Sequence, residues 1–393
     1  MDTIGTGVAT GRVLQLLALG NFVIGMGAFV VIGIVTPLAE SFAVDKSRAA
    51  MVLTVYAVSY ALLSPIGAAL TGTWPRRLVL SMALVLFGLG SLLSALAPSI
   101  GWLTASRVLV AMGGAIYTPM SAGVAVALAP PEQRGRALAT VFGGITLAQV
   151  VGVPFGAWIA YRFGWQATFL SVAALAAVAA PLLFRLIPGA VSFQTTGLSA
   201  IGAALKDARL AFAIAFTATI ITAIYVVFTY FGPLIEASIG RNPELRTGFL
   251  VLYGMGAVVG NYLGGYMTDR IGPARTLAVV CLAQALVMPL FSIIPWSPLL
   301  FAVIVGVWSA FGWAFMAPQQ SRLTQMAPRL QSLALALNAA MIYLGIAIGS
   351  ALGAGVLGHF GLQGLGIAGG LVGLVALLHL WLSQRVSTAS RPV

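Results

Sequence analysis

The chain has very little charge. Only 7% of its 393 residues are Asp, Glu, Lys or Arg and 60% are hydrophobic, whereas a soluble domain carries roughly a quarter charged residues. A mean hydropathy of +1.03 agrees, so a water-soluble protein is excluded and an integral membrane protein is implied. Acids are scarcer than bases, 8 against 20. A net charge of +12 would suggest nucleic acid in a soluble chain, with the bases gathered on one face. Here they stand singly or in pairs between apolar runs, so no nucleic-acid partner is expected. A lone Cys281 excludes an intramolecular disulfide. Two His, one Cys and no paired acids within an apolar run do not supply the clustered groups of a membrane enzyme. An enzyme, a cofactor and a metal are therefore not expected.

Alternating strands of about ten residues are also missing, which argues against a membrane β-barrel. Instead, apolar runs recur that are long enough to cross a core of about 30 Å as helices. Twelve spans are predicted, at 13–41, 49–70, 78–97, 102–128, 137–161, 166–187, 208–238, 247–268, 276–295, 299–325, 333–357 and 364–384. The first, after Arg12, is too long for a signal-peptide core. The one long connection divides the chain into an N-terminal six-helix bundle (1–187), a polar linker (188–207) and a C-terminal six-helix bundle (208–393). With the N-terminus inside, one side collects Arg12, Arg76, Arg77, Arg134, Arg136, Arg185, Lys206, Arg209, Arg270, Arg275, Arg322, Arg329, Arg385 and Arg391. The other side receives Lys46, Arg48, Arg162, Arg241 and Arg246, so both termini are expected in the cytoplasm.

Two loops repeat. Residues 264–275 have a worn copy at 67–77, offset by 198 when Gly67 is matched to Gly265. Ala129-Pro130-Pro131-Glu132-Gln133-Arg134 returns loosely at 327–332, again 198 residues later. Parallel six-helix halves sharing one offset suggest a duplicated transporter, with substrate bound between the halves.

On these residues the chain resembles the major facilitator superfamily over essentially its whole length. Gly265, Asp269-Arg270, Gly272 and Arg275 are similar to that family's signature loop. Leu103 to Leu109 is similar to its fourth-helix motif, whose buried cation is Arg107 here. Gly152-Val153-Pro154-Phe155-Gly156 is similar to the antiporter motif. Residues 70–77 and 163–169 look most like the bacterial sugar and drug efflux subgroup, the arabinose-efflux-like drug:proton antiporters. The resemblance implies an all-α integral membrane protein, twelve transmembrane helices in two pseudo-symmetric bundles, in the cell inner membrane. It further implies export of a small organic solute such as a sugar, nucleoside or amphipathic drug by rocker-switch alternating access. The alternatives are an uptake or facilitated-diffusion uniporter and, in another class, a non-transporting membrane receptor. Lipid, a small solute and protons are the expected partners, and the working unit is expected to be a monomer.

A conformational latch is expected from Gly265, Asp269, Arg270 and Arg275 with Arg76 and Arg77, since a carboxylate at a helix end can pair with a neighbouring Arg. Thr71 stands where the family pattern carries Asp, so the first-half latch is weaker or differently made. Gly152 and Gly156 flank Pro154 as a helix-packing motif, because small residues at four-residue spacing let backbones approach in lipid. Span eleven answers with Gly345, Gly349 and Gly353.

No acid falls at midplane. All eight, Asp2, Glu40, Asp45, Glu132, Asp207, Glu236, Glu244 and Asp269, map to span ends, loops or a terminus. Ala28 occupies a position where the efflux subgroup commonly has Glu, which puts ordinary proton antiport in doubt. Glu40 and Glu236 close the first helix of each half and read first as solvated helix ends, second as carriers at an outer gate. His359 is expected in an outer loop and His379 as a packing residue. Substrate-binding candidates are the polar and aromatic residues deep in the spans that the fold turns toward a central cavity. In the first half these are Asn21, Tyr56, Tyr60, Arg107, Tyr117 and Gln149; in the second, Tyr225, Asn261, Trp308, Trp313, Gln319 and Asn338, with Thr222, Thr229, Tyr253, Gln320 and Tyr343 beside them. Buried amides in lipid need partners, and aromatic plates suit a neutral or weakly charged solute.

Overall fold

A computed structural model describes residues 3–71, 74–130, 133–187, 206–328 and 331–388. Most of the expected linker lies outside the described residues, as do Gly72, Glu132, Arg329 and Arg391. The chain is helical throughout: α1 Thr3–Phe29, α2 Val31–Ser41, α3 Lys46–Leu70, α4 Arg76–Ala95, α5 Ile100–Leu128, α6 Arg134–Leu147, α7 Val153–Phe163 and α8 Trp165–Leu186 form the first bundle. The second comprises α9 Ala208–Phe228, α10 Phe231–Ile239, α11 Pro243–Ile271, α12 Pro273–Val287, α13 Pro298–Trp313, α14 Met316–Met326 and α15 Gln331–Thr388. Among the described residues, eleven stretches are long and apolar enough to cross a membrane. The last, Leu333–Val386, contains Gly361 at φ 67°, ψ −168°, and is two crossings joined at that bend. This gives the twelve expected spans.

Local chemistry sets the helix starts, and it repeats. Ser99 accepts from the Trp102 N–H to cap α5, and Ser297, 198 residues further on, accepts from the Leu300 N–H to cap α13. Asp45 caps α3 and Asn242 caps α11 in the same i to i+3 manner. Gly164, Gly240 and Gly272 hold φ between 81° and 89° at turns between crossings, a region open to glycine at no steric cost.

Of the breaks inside crossings, only a perturbation at Pro154 was expected from the sequence. The first crossing is interrupted at Val30, between α1 and α2, and the seventh at Thr229 and Tyr230, between α9 and α10. The fifth passes through a π-helical turn, Ala148–Gly152, in which the Val153 N–H bonds to Ala148 O. Pro154 lacks an N–H and its ring crowds the preceding turn, and the wider π turn takes up that misfit.

Glycines bring backbones together within each bundle. A Cβ added at Gly144 would sit 1.9 Å from Ala18 O, and one at Gly156 would sit 2.6 Å from Val30 Cγ2. The Gly152–Gly156 face therefore packs on the first crossing. In the second bundle, Cβ atoms at Gly345, Gly349 and Gly353 would meet Ala218 O, Thr222 O and Val226 O at 2.6, 2.7 and 2.9 Å. The eleventh crossing thus lies on the seventh as the fifth lies on the first.

Candidate functional site

The expected cavity residues fall into three groups. Asn21 and Gln319 spend their amide N–H groups inside their own bundles, while Asn21 Oδ1 and Gln319 Oε1 have no hydrogen-bond partner among the described residues. Asn21 Nδ2 donates to Ser121 Oγ at 3.0 Å and to Val141 O at 3.2 Å, tying α1, α5 and α6. Gln319 Nε2 donates to Ala213 O at 2.8 Å and Thr217 Oγ1 at 2.9 Å, while Thr217 donates to Asn338 Oδ1, tying α14, α9 and α15. Ser121 and Gln319 are 198 positions apart, so the two clusters are repeats of one lock. Tyr117 likewise donates to Leu17 O at 3.2 Å. Trp308 is fully buried among Tyr253, Phe231 and Phe291, with centroids 4.9 to 5.5 Å away. Gln149 is buried in the π turn, and Asn261 is half-buried.

The second group forms an aromatic seam between the bundles. Tyr60 of α3 stacks on Tyr343 of α15 at 3.5 Å, and Tyr56 lies edge-on to Tyr343 at 6.3 Å. Arg107 is fully buried behind Tyr56: its Nη2 donates to Gly27 O at 2.7 Å and its guanidinium lies 4.9 Å from the Tyr56 ring centre. Phe169 takes another face at 5.6 Å. No carboxylate approaches Arg107 among the described residues, and its Nε and Nη1 lack hydrogen-bond partners, as does the Tyr56 hydroxyl. A guanidinium stacked on rings is a weakly hydrated cation that tolerates burial better than an ammonium. Elsewhere in the second bundle, Trp313 Nε1 donates to the Tyr253 hydroxyl at 3.1 Å, and Tyr253 stacks on Phe228 at 4.0 Å. Tyr225 packs against Phe228 from above, 5.4 Å away.

The third group lies at the end that carries Asp45, Gly164, Gly240 and Gly361. Glu236 of α10 accepts from Tyr161 of α7 at 3.0 Å, from Thr36 of α2 at 3.1 Å and from Arg246 of α11. The Arg246 and Glu236 side chains are only 2% and 6% exposed, and the guanidinium lies 3.6 Å from the Tyr161 ring centre. This corrects two expectations. Glu236 is not a solvated helix end, and Arg246 is not a loop cation but sits inside the first turns of α11. Two exposed ion pairs flank this clamp, Arg162 with Glu244 at 2.6 Å and Arg241 with Glu40 at 2.8 Å. An exposed pair contributes about 0.2–1 kcal/mol, whereas breaking a buried one costs about 3–5 kcal/mol. Sequence reading passed over the clamp although a signal was present: opposite charges ten residues apart around the Gly240 turn.

Other bonds between the bundles lie toward that same end, Thr54 to Ser350 Oγ at 2.7 Å and Ser47 to Ala354 O at 3.1 Å. At the opposite end no hydrogen bond or ion pair joins the bundles among the described residues. There Asp269, Arg270 and Arg275 are exposed, with Arg270 over the Tyr266 ring at 4.8 Å. Gly265 has open space where a Cβ would be. Arg76 is buried and donates to Thr71 O at 3.3 Å, while Arg77 is exposed and lies over Phe184 at 5.2 Å. The expected latch residues thus share one end, but Asp269 is not ion-paired. Thr71 Oγ1 bonds back to Gly67 O as Thr268 Oγ1 does to Gly264 O, so its structural counterpart is Thr268. Arg322, expected at the cytoplasmic end of the span 299–325, is buried there and donates to Ser383 Oγ at 2.6 Å. His379 packs on Phe212 at 4.2 Å, and His359 lies exposed near the Gly361 bend, within the helix rather than in a loop.

Comparison with known proteins places this geometry. The sequence profile of the Major Facilitator Superfamily matches residues 17–329 and again 250–393. The inner membrane transport protein YdhP of Escherichia coli (strain K12) is 30% identical over 375 residues, covering 95% of this chain and 96% of its own. A chloramphenicol resistance protein of Streptomyces lividans is 31% identical over 384 residues, covering 96% and 98%. Among solved structures, a bacterial homologue of the human lysosomal transporter Spinster, inward-facing and occupied, superposes with a TM-score of 0.76 at 16% identity over 98% of both chains.

Proposed function

Because the chain belongs to the Major Facilitator Superfamily, a family of membrane transporters of small solutes, we propose that it exports a small organic solute from the cytoplasm by alternating access. The observation that carries this reading is that, among the described residues, the polar contacts between the bundles gather at one end. A pair of rigid bundles clamped at one end presents its middle to the other, which is one of the two states that alternating access requires. The basic loops lie at the unclamped end, so this state faces the cytoplasm and both termini lie inside. The chain resides in the bacterial inner membrane, with 188–207 as the cytoplasmic linker between bundles. Export is supported by the chloramphenicol resistance protein, which matches over its whole length.

Within this reading the solute is held at the aromatic seam, by Tyr56, Tyr60 and Tyr343 from one side and Tyr253 and Trp313 from the other. Arg107 behind Tyr56 favours neutral or anionic groups over cations. The amide locks keep each bundle rigid, and Asp269 closes on Arg76 or Arg77 in the outward-facing state. The test is flux of a solute panel, including chloramphenicol, in proteoliposomes, with loss on Tyr60→Ala. Absence of saturable flux for every solute would remove the reading.

A second reading, facilitated diffusion without ion coupling, is favoured by Ala28, which is fully buried beside the Gly27 carbonyl that holds Arg107 and has no proton to exchange. Measuring flux with and without an imposed pH gradient separates the two, since a uniporter ignores the gradient.

A further inference from the structure

We infer that Glu236 is a proton-binding site that locks the outer gate: deprotonated, it holds the bundles together, and protonated, it lets them part. The inference rests on the transporter reading above and adds to it the group and the ion that control one gate.

Glu236 is the acid that sits at a junction of four crossings. Three groups donate to its carboxylate: the Thr36 hydroxyl from α2, the Tyr161 hydroxyl from α7 and the Arg246 guanidinium from α11. Two belong to the first bundle, and Glu236 and Arg246 belong to the second. One carboxylate therefore bridges the bundles. The remaining charges nearby are Lys46 at the start of α3, Arg241 after α10 and Glu40 at the end of α2, with Glu40 engaged by Arg241.

The chemistry of the lock follows from that donor set. An ionised carboxylate accepts from all three groups; a neutral carboxyl can still donate to the Thr36 or Tyr161 hydroxyl, but it no longer offers Arg246, which can only donate, a negative charge. Arg246 has only 2% of its side chain exposed, and its Nε and Nη1 have no hydrogen-bond partner. Were Glu236 to gain a proton, Arg246 would remain as an uncompensated buried cation, which a protein disfavours strongly. Separation of the bundles brings water to the guanidinium and relieves that cost. The proton comes from the outer solution, forms the O–H bond on Glu236 and returns to solvent when the clamp closes; no other reactant is needed. Closing thus releases a proton, so acid shifts the balance toward the outward-open state. One proton per opening limits the change to about tenfold in the open-to-closed ratio per pH unit.

The experiment needs no substrate. Gln166 and Gln363 are exposed near the clamp, one on each bundle. Spin labels on Gln166→Cys and Gln363→Cys, with the buried Cys281 left in place, report the gap by electron-electron distance measurement in lipid nanodiscs between about pH 5 and 8. A His359→Asn background removes the exposed imidazole nearby. The expected result is a long-distance population that grows as pH falls. In Glu236→Gln that population is present at every pH, and in Glu236→Asp, which keeps a titrating group, the pH response persists. A distance distribution indifferent to pH overturns the inference, as does an undiminished response in Glu236→Gln or its absence in a monodisperse Glu236→Asp protein. Lack of any solute flux would defeat the transport reading while leaving this result standing.

Discussion

The two bundles share a frame but not their charges. Asn21, Ser121 and the Val141 carbonyl have their repeat in Thr217, Gln319 and Asn338, and Ser99 has its repeat in Ser297. Buried cations break the pattern. Arg246 is buried and paired, while Arg48, 198 residues earlier, is exposed. Arg107 is buried in the first bundle, while Val305, 198 residues later, is a fully buried aliphatic. What repeats holds each bundle together; of the two cations that differ, Arg246 lies at the contact between bundles and Arg107 lies behind it, under Tyr56. Function in a duplicated protein is thus best sought where the copies disagree.

The sharpest break of that comparison is Arg246→Ala against Arg48→Ala. Removing Arg246 strands Glu236 in a buried site and is expected to cost about 3–5 kcal/mol, while the exposed Arg48 should fall within about 0.5 kcal/mol. Thermal unfolding of the detergent-solubilised proteins checks both. Next is Gly144→Val, which drives a side chain into the Ala18 carbonyl; overpacking of this kind costs about 1–3 kcal/mol, read as a lowered unfolding midpoint.

Smaller effects test the symmetry itself. Asn21→Ala and Gln319→Ala each remove a lock, at about 0.6–1.7 kcal/mol apiece; equal losses in the unfolding midpoint would mark the locks as equivalent. Smallest in stability is Asp269→Asn, an exposed change expected within about 0.5 kcal/mol. Its effect should appear in transport rate, slowing cycling far more than Thr71→Ala does. Equal, mild transport defects would reduce the Asp269 loop to a topology anchor.

Most of the fold was legible because lipid imposes a simple rule: a backbone without water must pair internally, so every long apolar run becomes a helix. The repeated loops at 67–77 and 265–275 revealed the duplication for the same reason, as polar breaks stand out in an apolar chain. The interruption at Val30 was illegible, since an apolar run carries no mark of where its hydrogen bonding shifts, whereas Pro154 marked the fifth crossing, whose π turn lies at Ala148–Gly152. The site was legible in kind but not in assignment. Asn21 and Gln319 were both read as cavity residues, yet whether an amide's partner is solute or neighbouring helix depends on helix rotation, which hydropathy does not encode when most faces are apolar. Glu236 was misjudged for a related reason. A helix end is solvated only if no other helix end covers it, and Thr36, Tyr161 and Arg246 come from three distant stretches.

Gly254 of α11 faces the π turn of the fifth crossing across the bundle boundary, where a Cβ would lie 2.6 Å from Val150 Cα. Here the bundles meet backbone to backbone, as they do again where a Cβ at Gly232 would lie 3.0 Å from Ile32 O. Side-chain contacts such as Tyr60 on Tyr343 can slide or unstack, whereas a glycine contact of main chains fixes how closely two bundles approach. In the alternating access proposed above, the size of residue 254 therefore sets the spacing about which the bundles turn, and Gly254→Ala is expected to slow flux of any solute carried.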